Sequence, residues 1–186
     1  MPLEFWSTAA SIGTLIVIAA TAVAAMVQLR HMQSANKVAA IQVFAARYDG
    51  PELSEAFHIV RSELAQRLQD PAFRQELRSG IADRSNHPEV YVCNFFDQWG
   101  LYYRDGVIDK ASFMRVNAGV IVRFWEQLEP VVALMADPVK GNQSFQQFEY
   151  LTVQARKWIE RHPEGDYPKG EQRISLNDPW RTIDGV

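Results

Sequence analysis

Residues 5–37 read FWSTAASIGTLIVIAATAVAAMVQLRHMQSANK, and the fate of this stretch decides the fold. From Phe5 to Leu29 no side chain carries a charge. A cleaved secretory signal needs a positive start, a short apolar stretch and a small-residue cleavage site. Here the start is Met1-Pro2-Leu3-Glu4, which carries a carboxylate and no lysine or arginine. AVAAM could pass for a cleavage site, but the apolar stretch is too long for a signal. A buried core helix needs a polar stripe, and this run is apolar on every face. About 20 apolar residues cross the hydrocarbon core of a bilayer. The run exceeds that length, so a retained transmembrane helix over residues 5–29 is the reading that fits.

The flanks set its direction. Arg30, Lys37 and Arg47 follow the span, and only the amino terminus and Glu4 precede it. The positive-inside rule then puts residue 30 onward in the cytoplasm and the N-terminus outside, with Trp6 at the outer interface. Ala9 and Gly13, Ala20 and Ala24, and Thr21 and Ala25 are small residues four apart, a spacing that lets helix backbones approach in lipid.

The sequence predicts that the helix continues past the membrane. RHMQSANKVAAIQVFAARYDG contains no proline, and no glycine before Gly50, which is read as a C-cap ahead of Pro51. Span and stalk form one rod of about 60 Å or more. Leu29, Met32, Asn36, Ala39, Val43 and Ala46 fall at heptad a and d spacing. The expected use of this stalk is packing against its own domain.

Beyond Gly50 the apolar periodicity is helical throughout. One helix carries Leu53, Phe57, Val60, Leu64 and Leu68; a short one starts at Asp70-Pro71 and ends near Gly80. The next begins at Pro88 and bears Tyr91, Val92, Phe95, Phe96, Trp99, Tyr102 and Tyr103. Gly106 closes it and Asp109 caps a long helix from about Lys110 to Met135, in which Pro130 should produce a kink. Its core stripe is Phe113, Val120, Ile121, Phe124, Trp125 and Leu128. A last helix points Phe145, Phe148, Leu151, Ala155, Trp158 and Ile159 inward. The expected fold is all-α: anchor 1–30, stalk 31–49, a cytoplasmic bundle of about five helices over 50–163, and an irregular tail over 164–186 in which Trp180 is the docking candidate.

Composition narrows the function. A net charge of -3 over 186 residues gives no footprint for nucleic acid. The single Cys93 excludes an intrachain disulfide. His31, His58, His87 and His162 have no partner at zinc-site spacing, and no phosphate-cradling glycine loop occurs. No cofactor or metal is expected, and Cys93 reads as a buried, inert thiol. The remaining candidates are polar residues among aromatic ones. If the last three helices pack together, Asp97, Arg123, Glu126 and Glu149, with Tyr103, form one cluster, since charges are rarely buried without a partner. That cluster is an acid/base pocket, or a structural network that fixes helix register, or these side chains are a set of ordinary solvated faces. Gly100 marks a close helix–helix approach.

The strings QLRHM, RYDGPEL, FFDQWGLYYRDGVID, FWEQLEPVV and FEYL together resemble a bacterial family of small, single-span, membrane-anchored helical proteins classed as a domain of unknown function. The resemblance covers roughly residues 6–160 and is most specific in FFDQWGLYYRDGVID. Positions that recur in that family match Asp97, Gly100, Tyr103, Gly106, Asp109, Trp125, Glu126, Pro130 and Glu149. It implies an all-helical cytoplasmic domain and no particular activity. The function expected is a non-enzymatic scaffold, accessory or regulatory protein that binds a protein partner or itself. The alternative is a membrane-tethered enzyme or small-ligand sensor with a carboxylate-lined pocket.

Overall fold

The computed structural model describes residues 2–79, 86–136, 144–168, 170–175 and 177, without the side chains of 2–12, 33, 34, 36, 37 and 40. Gly80, residues 137–143, Trp180 and the side chain of Trp6 therefore lie outside the described residues. All regular structure among the described residues is α-helical: α1 Pro2–Tyr48, α2 Pro51–Ser62, α3 Leu64–Arg67, α4 Pro71–Ser79, α5 Pro88–Arg104, α6 Lys110–Met135 and α7 Gln146–Arg161.

The rod is unbroken. α1 has 47 residues, about 70 Å at 1.5 Å per residue, and passes Arg30 without interruption. Its segment Gly13–Met32 is long and apolar enough to cross a membrane, and none of it is buried within the protein. The stalk does not lie along its own domain as expected. Only its last turns are engaged there. Phe44 is the plug, seated on Trp99 at 4.6 Å edge to face, on Phe113 at 5.3 Å and on Phe95 at 5.4 Å. Tyr48 packs on Phe57 at 5.2 Å. The heptad positions Leu29, Met32, Ala39, Val43 and Ala46 stay exposed: Leu29 and Met32 lie about 18 Å or more along the axis from Phe44, and Ala39, Val43 and Ala46 lie about 100° or more round the helix from it.

Two helix boundaries differ from expectation. Gly50 has φ -65° and ψ 143°, an ordinary extended backbone of the kind favoured before proline. It is the N-cap residue of α2, not a left-handed C-cap. The helix expected over 51–70 breaks at Glu63, so six helices follow the rod among the described residues. Neither glycine nor proline stands there. Beyond the break Leu64 is buried in the core, and Arg67 donates to the carbonyl of Asn86 at 2.8 Å.

Elsewhere the stripes fall as read. Leu53, Phe57 and Val60 from α2, Val92, Phe95, Phe96 and Trp99 from α5, Ile121, Phe124 and Leu128 from α6, and Phe148, Leu151 and Ala155 from α7 form one core. Ile159 is exposed instead of inward, and Val120 is half-buried. α5 ends in a Schellman motif: Gly106 adopts φ +72°, its N–H donates to Tyr103 O, and Val107 N–H donates to Tyr102 O. Asp109 then caps α6 by accepting from Ser112 N–H at 2.9 Å. The tail returns over α6, where Asp166 pairs with Arg115.

Candidate functional site

Asp97, Tyr103, Arg123, Glu126 and Glu149 do not converge. Among the described residues no ion pair joins any two of them. Glu126 and Glu149 are exposed on α6 and α7. Arg123 is exposed and donates to Gly119 O of its own helix at 3.3 Å. Tyr103 is buried near Phe113 and Tyr150, with Lys110 Nζ 5.3 Å over its ring. Burial pushes its phenol above the ordinary value, neighbouring Tyr150 adds to this, and Arg161 opposes it.

Asp97 has a backbone partner instead. α7 opens at Phe145 in the left-handed region, φ 62°, with no side-chain cap of its own. Its first N–H groups have no intrahelical acceptor. Asp97 Oδ1 accepts two of them, Gln147 N–H at 2.9 Å and Phe148 N–H at 3.1 Å. It caps α7 from another helix, where a negative charge also meets the positive end of the helix dipole. One turn on, a Cβ on Gly100 would lie 2.0 Å from Gln147 O, so glycine is required for the same contact. The two residues between them face the rod. Gln98 accepts from Arg47 at 2.7 Å and donates to the Tyr102 hydroxyl at 2.9 Å, and Trp99 holds Phe44. The string DQWG thus builds both junctions of α5, with α7 and with α1.

The buried polar centre lies two turns earlier on α5, at residues the motif search passed over. His87 precedes Pro88 at the N-terminus of α5 and is 3 % exposed; Glu89 is 0 % exposed. His87 Nδ1 meets Glu89 Oε1 at 2.6 Å and Nε2 meets Glu76 Oε2 at 3.2 Å. Each imidazole nitrogen thus faces one carboxylate oxygen, from its own helix and from α4. Phe73 stacks on the imidazole at 5.2 Å, and Arg67 lies 4.8 Å over Phe73. Arg67 also sits 3.7 Å from Glu89 Oε2, which has no hydrogen-bond donor. Above this centre is a cleft of about 940 Å³ whose lining includes Glu52, Glu55, Glu63, Glu76 and Arg67. Four carboxylates against one guanidinium give it a negative field. The sequence held one signal for Glu89: it shares a helical stripe with Val92, Cys93 and Phe96, at i+3, i+4 and i+7.

Both imidazole nitrogens are engaged and the ring is enclosed, so in this arrangement His87 ties α4 to α5 and offers no free nitrogen as a general base. Among the described residues no group of three or more His, Cys, Asp or Glu is arranged to hold a metal ion. Cys93, fully buried on α5 between Glu89 and Asp97, has its thiol pushed well above the usual value by burial and then by those two charges. It is not an activated nucleophile.

No curated protein and no solved structure matches the chain. A family model described as a domain of unknown function, DUF4760, matches residues 15–158. The match starts inside the apolar run of α1 and closes on α7, so it takes in rod and bundle as one unit. On that extent the chain belongs to the DUF4760 family.

Proposed function

We propose that this is a non-enzymatic, single-pass protein of the bacterial inner membrane. Its N-terminus lies outside, and its helical bundle serves in the cytoplasm as a scaffold, accessory or regulatory domain for a protein partner or a second copy. One observation carries the reading: α1 runs unbroken from the apolar segment Gly13–Met32 to Phe44 in the bundle core. A flexible linker would let a tethered domain sample many orientations. A continuous helix plugged into an aromatic core holds it at a fixed height and attitude, which suits assembly more than turnover of a diffusible substrate. The enclosed His87 supports the non-enzymatic part, and Arg30, Lys37 and Arg47 beyond the span support the orientation.

The protein should stay in the membrane pellet after alkaline carbonate washing. A Val116→Cys variant, exposed on α6, should resist a membrane-impermeant maleimide applied to the outer face until the membrane is opened. Release by carbonate would remove the anchor, and labelling from outside would reverse the orientation. A lone monomer in mild detergent and in cross-linked native membranes would remove the scaffold role.

The cleft over Glu89 favours a second reading, a tethered sensor of cationic small molecules. It replaces the expected pocket with Glu52, Glu55, Glu63 and Glu76. Spermidine as probe should raise the melting temperature of the wild type and not of Glu63→Gln/Glu76→Gln; equal response of both would end this reading.

A further inference from the structure

We infer that two copies of this chain pair in parallel along α1, through a heptad seam that runs from the lipid into the stalk. This rests on the anchored rod proposed above and names the second copy as its partner. The a and d spacing of Leu29, Met32, Ala39 and Val43 extends backward in the same register to Leu15, Ile18, Ala22 and Ala25. The seam is then about 42 Å long at 1.5 Å per residue, against fewer than three heptads for the stalk alone. All eight of these residues are exposed in the single chain.

Three features select a second copy as occupant. The first is geometry. At about 100° per residue, Phe44 and Tyr48 lie about 105° and 145° round the helix from the centre of the stalk seam, at the outer b and f positions of the heptad. The bundle therefore covers the opposite side, and two rods can meet with their bundles pointing outward. The second is charge. The flanking e and g positions of the stalk, Gln28, Gln33, Ala35, Ala40 and Gln42, bring no like charges together across a symmetric pair. Arg47, at the next e position, is held by Gln98 of its own chain. The third is continuity. Both copies enter the bilayer in the same sense, so only a parallel pair keeps the lipid and stalk portions of the seam in register. Ala22 and Ala25 let the backbones close within lipid, and Met32 and Val43, each 61 % exposed in the single chain, are covered beyond it.

The test is disulfide cross-linking of the full chain in membrane vesicles, using Val43→Cys and Ala39→Cys on the seam and Val38→Cys, 54 % exposed but off it. Native Cys93 is buried and contributes no background. Disulfides need Cα separations under about 7 Å, so the seam positions should cross-link about tenfold more than Val38→Cys. A flat profile, or a maximum at residue 38, would overturn the seam. Carbonate washing of the same vesicles separates the two failures: retained protein without the seam pattern refutes the pairing alone, whereas released protein refutes the anchor beneath it. As a second arm, Val43→Asp should convert dimer to monomer by native mass spectrometry in mild detergent, with helicity unchanged. A dimer that survives Val43→Asp counts against the seam.

Discussion

Asp97 and Glu89 are carboxylates two turns apart on α5, and the helix uses them in opposite ways. Asp97 is half-buried and receives two backbone N–H groups from the start of α7. Glu89 is wholly buried, receives one ring nitrogen of His87, and keeps its second oxygen near Arg67 without a hydrogen bond. A carboxylate facing a helix N-terminus is satisfied by groups that the fold supplies in any case. One facing side chains depends on each of them, because a buried charge that loses its partner is left uncompensated. The α7 end of α5 is therefore built for attachment. The other end is a balance of charges beneath an open cleft.

The largest effect should come from breaking the attachment. Gly100→Ala drives a Cβ into the Gln147 carbonyl, a backbone atom that cannot swing aside. α7 must lift from α5, at about 3 kcal/mol or more. Thermal unfolding in detergent measures this, and a small shift would mean that α7 is seated loosely.

At the other end, Glu89→Leu should cost about 2 kcal/mol, because His87 loses its partner in a buried site and Arg67 loses an ion pair. Adding His87→Phe should recover more than half of that loss, as expected when a buried charge pair gives way to apolar packing. Strictly additive losses would show that the two residues do not act as a pair.

Cys93 lies between the two carboxylates and reports on both. Its thiol is pushed up in the native chain, first by burial, then by Glu89 and Asp97. As pH rises through the ordinary thiol value, unfolded chains release a proton that native chains keep. Stability then falls with pH, by up to about 1.4 kcal/mol per unit. The slope of stability against pH above that value should be steeper for wild type than for Cys93→Ala. The thiol should react with maleimide only on unfolding, and sooner in Gly100→Ala.

Asp97→Asn should cost about 1 kcal/mol, since the amide oxygen still accepts from α7 but without charge assistance. Asp97→Ala removes the acceptor altogether and should cost about 2 kcal/mol. Equal losses from the two would assign the effect to charge and not to capping.

What the sequence disclosed follows the range of the forces involved. The rod, the α5–α6 turn and most of the core stripes are local: periodicity, a glycine and an Asp cap specify them within a few residues. Gly100 was read as a close approach because a mid-helix glycine is costly without a reason. Its partner could not be named, since Gln147 is far along the chain. The same distance hid Asp97's role, because its acceptor duty depends on Phe145 leaving α7 without a cap. Glu89, at the start of the helix that begins at Pro88, was not singled out, although its stripe with Val92 and Phe96 points inward. The stalk departs from its expected packing because the contact with the domain is made by Phe44 and Tyr48, which the heptad spacing does not single out.

The smallest effects belong to Glu126 and Glu149, which sequence had grouped with Asp97. Both are exposed, and neither has an ion-pair partner among the described residues. Glu126→Gln and Glu149→Gln should each change stability by less than about 0.5 kcal/mol. The small part that remains at Glu149 comes from its place in the first turn of α7, where a negative charge favours the dipole. These variants sharpen the contrast along α5 because they fold like wild type while removing carboxylates from the bundle surface. If either one lowers partner recovery from native membranes at unchanged melting temperature, that carboxylate belongs to the docking face of the bundle. If both leave recovery intact, the docking face lies elsewhere, and the rod seam and the acidic cleft are the surfaces to test.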